Sequence, residues 1–111
     1  MLTVRTCSVL ALVASAACGR QVAGGSTDGR EVFAAACARC HGERGQPPTA
    51  MASGLGVRDL TAPEFLARRT VELVAHQVRN GSANGRMPAF TGALTDAQID
   101  AVAAYVLTLT P

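Results

Sequence analysis

Apolar residues recur at helical spacing in three stretches of this 111-residue chain. Phe33, Ala36, Cys37 and Cys40 fall at i, i+3, i+4 and i+7, behind an acidic cap formed by Asp28 with Glu31 three residues on. Val71, Val74, Ala75 and Val78 mark a second face, capped by Thr70 and stopped by Gly81. Ile99, Val102, Ala103 and Val106, continued by Leu109 or Thr110, mark the third. It follows a Thr95/Gln98 capping box, with Asp96 suited to the positive helix N-terminus. A further capping pattern, Thr61-Ala62-Pro63-Glu64, opens a short helix through about Ala67. The segments Gly42–Leu60 and Gly81–Gly92 read as loops, the first with a short turn around Met51. The pattern predicts an all-α fold of four helices and long loops, without a sheet.

The N-terminus follows a different rule. Met1–Thr6 carries one charge, Arg5, and Cys7–Ala17 is an unbroken run of apolar and small residues. A basic start, a short apolar core and small residues before a break describe a secretory signal over residues 1–17. The run is too short for a comfortable membrane span, so the chain is expected to be exported. Ser15-Ala16-Ala17-Cys18-Gly19 resembles a bacterial lipobox, in which Cys18 becomes the lipidated first residue. Ser15 stands where leucine is favoured; cleavage after Ala14-Ser15-Ala16, or a Cys18 that is merely small, are the alternatives. Lipidation would tether a periplasmic protein to a membrane. Residues 18–28, with Gly24, Gly25 and Ser26, read as a flexible spacer, and residues 29–111 as the folded domain.

Charge removes one class of function. The net charge is +2, and all ten basic residues are arginine. No basic run occurs, and one tyrosine and three phenylalanines offer little stacking surface, so nucleic-acid binding has no support.

The chemistry lies in Cys37-Ala38-Arg39-Cys40-His41. Two thiols at this spacing can each add across a vinyl group of one porphyrin, while the adjacent imidazole reaches the iron, which is the pattern of c-type haem attachment. A zinc site needs about four ligands, and the rest of the domain offers only His76 as another soft nitrogen or thiolate donor. A thioredoxin-like dithiol belongs near a βαβ unit, and a disulfide leaves His41 unexplained. Cys7 leaves with the signal and Cys18 is terminal, so Cys37 and Cys40 are the cysteines of the folded part. His41 is the expected proximal ligand, its second ring nitrogen donating to a carbonyl that the Pro47-Pro48 loop could supply. For the sixth position the residues offer Met87, Met51, His76 or nothing. Met87, held before Pro88, ranks first, and His76 sits one residue off its helix stripe.

The domain resembles a class I c-type cytochrome over Asp28–Pro111. The likeness rests on Gly29 and Phe33 before Cys37–His41, on Val78/Gly81, on Met87-Pro88-Ala89-Phe90, and on Leu94 leading into a helix with Tyr105. The resemblance implies a cytochrome c fold in which the first and last helices cross, bringing Gly29 or Phe33 against Val102 or Tyr105. It also implies Met87 as the distal ligand. Members often carry a proline eleven or twelve residues after the haem histidine; here the prolines come at Pro47 and Pro48. The implied function is one-electron transfer by a monomeric, non-enzymatic carrier between redox protein donors and acceptors. The rivals are a dedicated subunit of one oxidoreductase, and a gas sensor or peroxidase-like protein whose sixth ligand is displaceable.

Overall fold

The computed structural model describes residues 21–111, so the signal and Cys18 lie outside the described residues. The Asp28 carboxylate accepts the backbone N–H groups of Arg30 and Glu31 at 2.8 and 3.2 Å, and this cap opens α1 (Gly29–Ala36). The helix read from the first stripe is two helices. Cys37 interrupts it, and the chain resumes as α2 (Ala38–His41). The N–H groups of Cys40 and His41 both turn back to the Cys37 carbonyl, at 3.2 and 3.0 Å. Periodicity locates a buried face over several turns; it does not register a break confined to one residue.

A second difference lies in the segment read as loop, where α3 (Thr49–Leu55) forms and ends at Gly56 in the left-handed region, φ +65°. None of its residues is fully buried, so it leaves no apolar stripe in the sequence. The short helix α4 (Pro63–Leu66) begins where expected, but Thr61 does not cap it. The Thr61 hydroxyl instead donates to Asp59 at 2.6 Å, and Pro63 presets the first turn. α5 (Val71–Asn80) and α6 (Asp96–Val106) carry the expected caps from Thr70 and from the Thr95/Gln98 box. Leu109 is buried beyond the end of α6 while Thr110 is exposed. Among the described residues there is no strand, only one isolated bridge between Thr91 and Leu94, and the class is all-α.

α6 is the centre of the packing, with α1 on one side and α5 on the other. The α1–α6 crossing is set by Gly29. A Cβ there would overlap the Ala101 carbonyl oxygen and lie 2.8 Å from the Tyr105 Cβ. One turn on, the rings of Phe33 and Tyr105 meet at 5.4 Å, tilted by 57°. Replacement of Gly29 by alanine should therefore force the helices apart and cost about 3 kcal/mol, read as a lower urea midpoint. An unchanged midpoint would mean that the crossing can widen freely.

The segment read as a flexible spacer is pinned to the domain in its described part. Gln98, 2% exposed, donates to the carbonyls of Gly24 and Ser26 at 2.9 and 2.8 Å, while its carbonyl oxygen accepts from Thr95 N–H. One amide side chain thus caps α6 and holds residues 72 and 74 positions earlier. Sequence reading sees the cap and cannot see the distant carbonyls. Gln98→Leu leaves all three groups without partners and should lower stability by about 2 kcal/mol in the same urea assay.

Candidate functional site

All six helices and the loops between them line a cavity of about 480 Å³ that opens to solvent, with Leu55 contributed by α3 and Phe65 by α4. Phe33, Val74, Val78, Val102 and Val106 form apolar walls that are also the domain core. Cys37, Cys40 and His41 line the cavity from α2 and its start, and Met87 lines it from the loop after α5.

Both thiols are free and partly buried. Desolvation, and secondarily the neighbouring Cys40, pushes the Cys37 thiol up to about 11, so it is protonated at neutral pH. Burial also holds the His41 pKa below its ordinary value, opposed by a hydrogen bond to the Arg58 carbonyl. The neutral imidazole donates from Nδ1 to that carbonyl at 3.1 Å, which leaves Nε2 as the lone-pair nitrogen.

The partner of His41 is therefore Arg58, not Pro47 or Pro48. Gly42, at φ +80°, turns the chain away from α2, and a Cβ there would overlap the Gln46 carbonyl. The chain then runs out through α3 and returns, closed by Leu60 N–H on the Gly45 carbonyl at 2.8 Å. That closure carries the two prolines out with the excursion and brings residue 58 over the ring. The contact spans 17 residues and has no local signature.

The structure also separates the sixth-ligand candidates. Met87 is partly buried on the cavity wall. His76 is exposed on α5, where Asn80 Nδ2 lies 3.3 Å from its ring, and neither His76 nor Met51 lines the cavity. Met87 is fixed by its backbone. Its N–H donates to the Ser82 hydroxyl and its carbonyl accepts from Ser82 N–H, each at 3.0 Å. Sequence reading missed Ser82, whose hydroxyl would ordinarily pass for loop solvation.

Four arginines, Arg39, Arg58, Arg69 and Arg86, line the cavity, and no Asp or Glu does. They are scattered along the sequence, so their convergence could not be read from it. Among the described residues no three His, Cys, Asp or Glu side chains come together to hold a metal ion directly, so zinc has no ligand set. Apolar walls, two thiols, one imidazole lone pair and a cationic lining without carboxylates suit an iron porphyrin bearing carboxylate side groups.

Residues 25–106 match the family model described as cytochrome c oxidase, cbb3-type, subunit III. The chain is 46% identical over 79 residues to cytochrome c6 of Leptolyngbya boryana, covering 71% of this chain and 86% of that protein. It is 41% identical to cytochrome c6 of a Synechococcus species, over 72% of this chain and 66% of that protein. The solved c-type cytochrome KustC0563 superposes with a TM-score of 0.68 at 27% identity, over 76% of this chain and 99% of that one. The helix crossing at Gly29 is the one the family resemblance implied. The chain belongs to the small monohaem class I c-type cytochromes, electron carriers with one covalently bound haem c.

Proposed function

We propose that Cys37 and Cys40 form the two thioether bonds to the haem, that His41 Nε2 is the proximal ligand and that the Met87 sulfur is the distal one. The observation that carries this is the His41–Arg58 hydrogen bond, which commits Nδ1 and frees Nε2 on the cavity side bearing both thiols. When bound, the haem supplies a reversible one-electron couple. The residues tune and protect it. The Arg58 carbonyl orients the imidazole and raises its donor strength. A Met87 thioether favours the ferrous state over what a second histidine would give. The apolar walls exclude water and disfavour the net charge of the ferric site.

Held by His41 and Met87, the haem would offer a substrate no open position, and the protein would exchange electrons with redox proteins without making or breaking substrate bonds. Leu55 and Leu73, large apolar side chains left exposed while lining the cavity, give its rim an apolar contact for a small transient interface. The protein is exported as a monomer, with residues 1–17 as its signal and Cys18 as a lipid-bearing residue that tethers it on the periplasmic side. No helix of the described residues is long and apolar enough to cross a membrane.

The family match to an oxidase subunit favours one second reading, in which the same domain is a fixed part of an oxidoreductase complex. A partner that stays bound through mild extraction separates a subunit from a free carrier. The ligation itself is tested by optical titration of the holoprotein. A low-spin spectrum with the weak ferric sulfur-to-iron band, and indifference of the ferrous form to carbon monoxide, is expected. Rapid carbon monoxide binding by the unaltered protein would remove Met87 from the iron and make a sensing or catalytic role the better reading.

A further inference from the structure

Resting on the assignment of Met87 as distal ligand, we infer that Ser82 and Asn84 are positioning residues that hold the Met87 loop closed and so set how readily another ligand displaces the thioether. The loop from Ser82 to Met87 is a ring of internal hydrogen bonds. Met87 N–H donates to the Ser82 hydroxyl at 3.0 Å, and that hydroxyl donates onward to Asn84 Oδ1 at 2.6 Å. The same Asn84 oxygen accepts from Arg86 N–H at 3.0 Å. On the backbone, Ser82 N–H donates to the Met87 carbonyl and Gly85 N–H to the Ser82 carbonyl, both at 3.0 Å.

The ring is pressed against the end of α5. Gly81, at φ +71°, leaves no room for a Cβ, which would lie 2.5 Å from the Met87 carbonyl oxygen and 2.8 Å from Ala89 N. Phe90 N–H donates back to the Val78 carbonyl at 2.9 Å, which anchors the far side of the loop. Any movement of the Met87 backbone away from the cavity breaks the hydroxyl-centred bonds, so the ring resists that route of displacement. Asn84 serves only as an acceptor within the ring, so aspartate at that position can replace it and alanine cannot. Asn84 is exposed and Ser82 partly so, which makes their loss a local change.

The test is the rate at which free imidazole binds the ferric holoprotein, followed by loss of the sulfur-to-iron band. Ser82→Ala and Asn84→Ala should each raise that rate about tenfold, equivalent to about 1.4 kcal/mol. Asn84→Asp should stay close to the unaltered protein, which a simple loss of loop packing would not produce. Gln98→Leu, which weakens the fold without removing any bond of the loop ring, should leave the rate unchanged while lowering the urea midpoint. Alanine variants whose imidazole rates match the unaltered protein would overturn the inference, as would an equal acceleration in Gln98→Leu. An unaltered protein without the band, whose imidazole rate Met87→Ala does not change, would instead overturn the ligand assignment itself.

Discussion

The double variant Cys37→Ser/Cys40→Ser is expected not to fold. Serine cannot form the thioether, so the haem is no longer retained through purification, and the domain must stand on its own side chains. Phe33, Val74, Val78, Val102 and Val106 belong to the core and at the same time line the 480 Å³ cavity. Each of the five is at most 7% exposed, but on the cavity side they lack the packing partner that the cofactor would supply. At about 24 cal/mol per Å³, leaving that volume empty costs on the order of 12 kcal/mol. This figure is a ceiling, because the cavity opens to solvent and can fill with water. Domain stabilities run about 5–15 kcal/mol, so even half the ceiling is comparable to the margin of a small domain at the lower end of that range. Far-UV circular dichroism should lose most of its helical signal, and gel filtration should show an expanded chain. A cooperative, native-like unfolding transition in the haem-free variant would show that the helices form a sufficient core without the cofactor. Either single variant keeps one thioether and should hold haem with intermediate stability.

Met87→Ala should change the chemistry and spare the fold. Met87 is only partly buried, and its loop stays docked through Phe90 N–H on the Val78 carbonyl. On the proposed ligation the variant would leave the iron without its thioether, so the ferrous protein should gain carbon monoxide binding and the ferric protein should lose the sulfur-to-iron band. The reduction potential should fall by on the order of 0.2 V, since axial ligands set haem potentials over about 0.8 V. Met87→His separates two causes. It should restore a six-coordinate, low-spin haem while keeping the potential low, because imidazole does not favour ferrous iron as a thioether does. A Met87→Ala protein with unaltered spectrum and potential would place the sixth ligand elsewhere, and neither Met51 nor His76 lines the cavity.

Where sequence and structure part, each difference has its own physical cause. α5 and α6 were legible because a buried face and a side-chain cap are both written within a few residues, as with Thr95 and Gln98. α3 was not, because a helix with no buried residue has no stripe. Thr61 looked like a cap for the short helix and is bound to Asp59, since a hydroxyl two residues from a carboxylate has a local competitor. Residues 24 and 26 looked like spacer because their binding partner, Gln98, lies in the last helix.

The sequence by itself determined the helical class, the crossing at Gly29 and Phe33 through its family resemblance, and the thiol–thiol–imidazole pattern whose chemistry depends on adjacent residues. Tertiary structure alone decided which carbonyl orients His41 and which arginines line its cavity, whereas Met87 already ranks first in the sequence. The His41–Arg58 contact joins residues 17 positions apart, and the lining arginines run from Arg39 to Arg86, brought together through loop closure at Gly42, Gly45 and Gly81. Local propensity and spacing carry no information across such a closure, because the backbone path between the two ends is set by packing.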